Sequence, residues 1–206
     1  MFRFTRLSFA AVVVAGLAAG TLYADDVDPA ALCDSAKASI QAKKYGKAVS
    51  DLQLAIAEVG RLRMEVMKTK FPGAPADWKA EDAEGEMAAG MMWLSAGTSV
   101  KRRYTKGDST SMTLTIWADA GLVLSGIQMM LTNPMFVPQG SKIVTIKGRR
   151  ALLEFHGDNK NGKLTVLLNA PGSMVSLEGD AIASADLTDA FGNAIDYETL
   201  EKAIQE

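Results

Sequence analysis

The sequence predicts an α+β protein: an N-terminal helical hairpin followed by a mostly antiparallel sheet with covering helices. Three observations carry this. Residues 142–178 hold four short alternating runs, 143–146, 152–155, 164–168 and 174–177, separated by Lys147-Gly148-Arg149-Arg150, residues 157–162 and Ala170-Pro171-Gly172-Ser173. That is the pattern of an antiparallel meander. Residues 29–67 instead repeat their apolar positions at helical spacing. Between the two lies Phe71-Pro72-Gly73-Ala74-Pro75, where neither proline can continue a helix.

The chain opens with what reads as an address. Arg3 and Arg6 precede an apolar run over residues 7–19, too short to span a bilayer, and Leu22-Tyr23-Ala24 places a small residue at a cleavage position. Residues 1–24 are expected to be a signal peptide cut after Ala24, which sends the mature chain to the periplasm; an uncut N-terminal anchor is the alternative. Cys33 follows two aspartates and Leu32, the wrong surroundings for a lipid-attachment cysteine. Loss of residues 1–24 takes Lys plus Arg from 22 to 20 against 24 acidic residues, so the formal charge moves from −2 to −4. Such a chain has no overall field favouring nucleic acid. With a single cysteine, no internal disulfide forms, and Cys33 is expected to pack on a helix as a small apolar residue.

Residues 25–71 are expected to form the hairpin. Asp28 followed by Pro29-Ala30-Ala31 reads as an N-cap with proline in the first turn. Leu32, Ala36 and Ile40 mark the first helix, Lys43-Lys44-Tyr45-Gly46 a turn, and Tyr45, Val49, Leu52, Ile56, Val59, Val66 and Met67 one stripe of a longer helix. An amphipathic hairpin packed on something apolar is the expectation. The run Tyr45-x-x-Ala48-x-x-x-Leu52-x-x-x-Ile56 resembles the second half of a tetratricopeptide hairpin. It covers one unit, and one unit does not build the stacked groove of such repeats. Residues 72–91, with Glu81, Asp82, Glu84 and Glu86, are expected to be a solvated linker.

Residues 92–206 are expected to form the antiparallel α+β domain. Residues 98–105 alternate with Val100, Arg102 and Tyr104 on one side, Lys106-Gly107-Asp108-Ser109 turns the chain, and Met112, Leu114 and Ile116 mark the return strand. Residues 119–131 read as a helix stopped by Asn133-Pro134. After the meander, residues 184–194 and 196–204 read as a closing helical segment with Ser184 and Asp196 as caps. The hairpin Ile143-x-x-Ile146-Lys147-Gly148-Arg149-x-Ala151-Leu152-Leu153 and the sheet-then-helix ending resemble the small exported domains of the Mog1/PsbP-like group and several uncharacterised bacterial periplasmic families. That resemblance implies a non-catalytic binding or accessory role and carries over no functional residue.

Several chemistries lack the residues they need. His156 is the only histidine and sits at a strand end beside a turn; no G-x-S-x-G elbow supplies a nucleophile for it. One histidine and one cysteine do not make a His/Cys metal cluster within a single chain. Gly85-x-x-x-x-Gly90 has the glycine spacing of a phosphate loop, but Met91-Met92 stand where lysine and a hydroxyl are needed. Asp158-Asn159-Lys160-Asn161-Gly162 imitates a calcium loop, yet its register puts Gly157 and Leu168 at the end ligands, so a hairpin turn is expected. Met87, Met91 and Met92 cluster beside Trp93, a soft-ligand set suited to copper, while Met129, Met130 and Met135 are expected to pack. Lys101, Arg102, Arg103 and Lys106 lie on the first hairpin and Lys147, Arg149 and Arg150 on the meander. Side by side they would attract anionic lipid or an acidic partner; apart, they guard strand edges.

No catalytic, cofactor or metal residue is assigned. The expected function is that of a periplasmic, non-enzymatic binding or accessory protein acting on another envelope protein or a small ligand. It is not an integral membrane protein after cleavage, and peripheral membrane contact remains open to it. Copper handling through the methionines and an enzyme with spatially assembled carboxylates are the alternatives.

Overall fold

The computed structural model describes residues 27–87 and 97–205. Helices α1 (Pro29–Gln41) and α2 (Tyr45–Lys68) come first, then strands β1 (Lys79–Ala80), β2 (Glu84–Met87), β3 (Thr98–Lys106) and β4 (Thr110–Ala118). Helix α3 (Gly121–Thr132) and a 3-10 turn (Pro134–Phe136) lead into β5 (Ser141–Ile146), β6 (Arg149–His156), β7 (Asn161–Leu167) and β8 (Met174–Asp180). A π-helical turn (Asp186–Gly192) and α4 (Tyr197–Gln205) follow. The α+β class, the helical hairpin and the antiparallel sheet are as the sequence predicts.

The eight strands form one sheet in the order β1-β3-β4-β8-β7-β6-β5, with β2 also on β3. Every neighbouring pair is antiparallel. The meander is β5 to β8. Its first turn is tight because Lys147 and Gly148 both adopt left-handed backbone (φ 46° and 78°), the geometry whose twist matches a two-residue hairpin.

Register fixes one inner face. Arg102, Leu114, Leu177, Leu164 and Leu153 lie in one row across five strands. Leu187 and Phe191 of the π-helical turn, Leu200 and Ile204 of α4, Met64 and Met67 near the end of α2, and Phe71 just beyond it complete this core. Phe191 is its junction, edge-on to Trp78 at 5.0 Å and to Tyr104 at 4.9 Å between ring centres. The Tyr104 hydroxyl donates to the Pro72 carbonyl at 2.9 Å, and burial pushes its pKa up to about 12. On the sheet's other side α3 lies against β6, and its buried Leu124 and Leu131 stand apart from the inner cluster.

Two expectations change here. The linker expected over residues 72–91 is, where described, part of the fold: Trp78 is 8% exposed, and β1 and β2 pair in succession along the outer edge of β3. The regular helix expected over residues 184–194 is a wide π-helical turn instead. It closes at Gly192, where an added Cβ would stand 2.8 Å from the Leu187 carbonyl and 3.0 Å from Leu164 Cδ2, so only glycine permits the close approach. Ser184 gives that turn no side-chain cap; the Ala183 N–H donates to Asp186 Oδ2 at 2.9 Å instead. Asp196 does cap α4, accepting from the Thr199 N–H at 3.1 Å.

Helix α4 is fastened to the meander by a forked ion pair. Arg149 Nε and Nη2 donate to the two Glu201 carboxylate oxygens, both at 2.8 Å, and the Asn169 N–H adds a bond to Oε1 at 2.8 Å. The guanidinium also stacks 4.9 Å over the Tyr197 ring. Arg149 holds the Glu201 carboxyl below its usual range and is itself raised by that partner.

Truncating Phe191→Ala removes the ring that Trp78 and Tyr104 both contact. The expected loss is about 3–5 kcal/mol, read as a lower urea midpoint with α1 and α2 losing signal alongside the sheet. A midpoint within experimental error of the parent would refute the junction's role.

Candidate docking face

The hairpin is well specified locally. Asp28 Oδ1 accepts from the Ala30 N–H at 2.9 Å, as its sequence position predicts. At the other end Lys43 takes left-handed backbone (φ 56°), while the N–H groups of Lys43 and Lys44 donate to the carbonyls of Ile40 and Ser39. That double bond pattern is a Schellman stop, made here without glycine. The chain then reverses directly into α2.

What the two helices bury against each other is small. Ala36 and Ser39 of α1 and Ala48, Asp51 and Ala55 of α2 are buried, and a polar clasp links the helices. Ser35 Oγ donates to Asp51 Oδ2 at 2.8 Å, and Lys47 Nζ donates to the same oxygen at 2.6 Å and to Ser35 Oγ at 2.9 Å. Lys47 first, then Ser35, pulls the Asp51 pKa below its ordinary value. Short side chains let the helices approach closely and leave no room at the seam for large ones.

The large apolar side chains therefore point away. Tyr45 is 62% exposed, Val49 54%, Leu52 39%, Ile56 48%, Val59 54% and Val66 46%. The stripe expected to face the body of the protein exists, but all of it except Met67 faces solvent. Positions 45, 49, 52, 56 and 59 advance by alternate steps of four and three, which is the 3.5-residue period of a helix-pairing seam. Beside the seam lie Gly46, Ser50, Gln53, Ala57 and Gly60, so about half the helix circumference over residues 45–60 holds no Asp, Glu, Lys, Arg or His. The next seam position is Arg63, which turns onto the sheet and pairs with Asp119 at 2.6 Å and Thr98 at 3.3 Å. Beyond it, Met64, Met67 and Phe71 enter the core, so α2 is free at its start and anchored at its end.

A second apolar surface lies at the end of α3. Met135 is 91% exposed, and Met129 and Phe136 are each 54% exposed, which corrects the expectation that Met129 and Met135 pack. Residues 120–141 carry no ionisable group. Local polar groups there are paired internally: the Thr132 hydroxyl donates to the Gln128 carbonyl at 2.8 Å, and Asn133 Oδ1 accepts from the Met135 N–H at 3.1 Å.

The other sequence candidates are not brought together. His156 is exposed at the end of β6, opposite Asn161. A shallow depression of about 410 Å³ opens nearby, lined by Phe155, Gly157, Lys160, Ile182, Ala183 and Ser184. Cys33 is exposed on α1 and does not pack as expected. Met87 ends β2, while Met91, Met92 and Trp93 lie outside the described residues. The two basic groups are separated by β4, β8 and β7; Arg149 is paired with Glu201, Lys147 donates to the Ile195 carbonyl at 2.9 Å, and Arg102 lies 5.1 Å over the Phe71 ring. Among the described residues no three His, Cys, Asp or Glu side chains converge as a metal site, and no helix is long and apolar enough to cross a membrane. No protein family, curated protein or solved structure matches the chain.

The clasp gives the hairpin a pH dependence. Because the folded Asp51 pKa is depressed, its stabilising contribution is complete above the unfolded value of about 3.9 and is lost as pH falls through the lower folded value. The melting temperature of Asp51→Asn is expected to lie below the parent's at pH 7, with the gap closing below about pH 3.9. A gap that stayed constant down to pH 2, followed by circular dichroism, would rule out the clasp.

Proposed function

We propose that this chain is an exported accessory protein of the periplasm that acts by binding another protein surface, without converting a substrate, and that α2 supplies the contact. One observation carries the reading. The hairpin packs internally through alanine, serine and an aspartate while presenting Tyr45, Val49, Leu52, Ile56 and Val59 to water in register. Aliphatic groups so arranged leave water favourably only against an equally apolar, uncharged surface, and a helix of 3.5-residue period fits them best. The partner chemistry is therefore an apolar helix face.

Peripheral contact with a lipid surface is a second reading, favoured by the charge-free segment 120–141 and its exposed Met129, Met135 and Phe136. Groups that satisfy their hydrogen bonds locally enter an interface at less cost.

A photoreactive residue at Val49 in cells making the whole chain is expected to yield a covalent adduct, while one at Lys163, on the sheet, yields none. Osmotic-shock release should recover the chain with periplasmic markers. Absence of any adduct from Val49, Leu52 and Ile56 would refute the docking reading. For the lipid reading, the chain is expected to float with phosphatidylethanolamine–phosphatidylglycerol vesicles and to lose flotation in the doubly charged variant Met135→Asp, Phe136→Asp; flotation unaffected by both charges would remove it.

A further inference from the structure

We infer that the occupant of the α2 face is a second copy of this chain, the two α2 helices packing antiparallel about a two-fold axis near Gln53. This rests on the docking reading above and names its partner.

Period comes first. A strict four-three alternation keeps a seam in line only against a helix that repeats at the same interval, and α2 itself is such a helix. Charge comes second. Copies of an acidic protein repel wherever their carboxylates meet, but over residues 45–60 the seam and its flank present no Asp, Glu, Lys, Arg or His. Lys47, Asp51 and Glu58 lie on the opposite side, the first two within the clasp. An uncharged, apolar strip is complementary to itself, as a two-fold interface requires.

Area comes third. Side chains of this size, each about half exposed, offer roughly 80 Å² apiece, so Tyr45, Val49, Leu52, Ile56 and Val59 offer roughly 400 Å² per copy. The pair buries on the order of 800 Å² through these side chains, the size of a weak, transient association. Gly46, Ala57 and Gly60 beside the seam let the backbones come close and extend the contact. A reversible dimer follows.

Direction comes last. Arg63 closes the seam where α2 meets β3, so the sheet body stands at one end of the free helix. Antiparallel packing sends the two bodies to opposite ends and opposes the helix dipoles; parallel packing would crowd both bodies at the same end. Antiparallel geometry also sets like flanking positions across the axis, bringing Gln53 to Gln53 and Gly46 to Gly60 of the other copy.

The test uses the whole chain, purified and in cells. Sedimentation equilibrium up to about 0.5 mM is expected to show a monomer–dimer equilibrium, and Val49→Asp to weaken it at least about tenfold with an unchanged circular dichroism spectrum. In a Cys33→Ser background, Gln53→Cys is expected to form a disulfide dimer under mild oxidation, while Tyr45→Cys stays monomeric. A monomer throughout the range, or a dimer indifferent to Val49→Asp, overturns the proposal. So does disulfide formation by Tyr45→Cys in preference to Gln53→Cys. A Val49 photoadduct containing only a different polypeptide overturns the second copy while leaving the docking reading intact; no adduct at all overturns both.

Discussion

Three distant stretches of chain meet at one phenylalanine. Phe191 arrives on a π-helical turn near the C-terminus, Tyr104 on the second-from-edge strand β3, and Trp78 from the passage between hairpin and sheet. The Tyr104 hydroxyl then holds the Pro72 carbonyl, which fixes where the chain leaves α2. Without this aromatic junction the described sheet and hairpin would be joined by the contacts of Met64, Met67 and Phe71 with the rest of the core and by the bonds of Arg63 to Thr98 and Asp119. The close backbone approach at Gly192 and the Arg149–Glu201 fork keep the turn and α4 in the geometry that presents the ring.

From that anchor the hairpin reaches outward, and its internal packing determines what it displays. Helices joined through alanines and a Ser-Asp-Lys clasp are close together, and closeness turns bulky neighbours to the outside. The hydrophobic surface is thus a consequence of how α1 and α2 fit each other. A soluble fold tolerates single exposed aliphatics readily, but a row at constant pitch on an uncharged half-cylinder is an ordered surface.

The strands were legible because two signals agreed: alternation over four to nine residues, and turns whose residues suit them, such as Lys147-Gly148. The helices were legible for the same reason, with Asp28 and Asp196 as caps. Direction of burial was not. Periodicity reveals that α2 has an apolar stripe, but not that Ala48, Asp51 and Ala55, a bland series in sequence, would be the buried one. The short strands β1 and β2 were missed because two and four residues show no alternation, although Trp78 among prolines and acidic residues was a signal for a buried contact. The π-helical turn carries an ordinary helical pattern, and only the packing around Gly192 distinguishes it.

The two brief strands laid along β3 have an effect on polymerisation. A pleated sheet with two naked margins can be lengthened from either side, which is the geometry of a growing fibre. Here one margin is capped by fragments of two and four residues carrying Lys79, Glu84 and Glu86, leaving β5 as the long unpaired margin of the described sheet. Margin-to-margin addition through β5 therefore terminates after a single event, and the fold limits its own propensity to aggregate while keeping its apolar helix in open view.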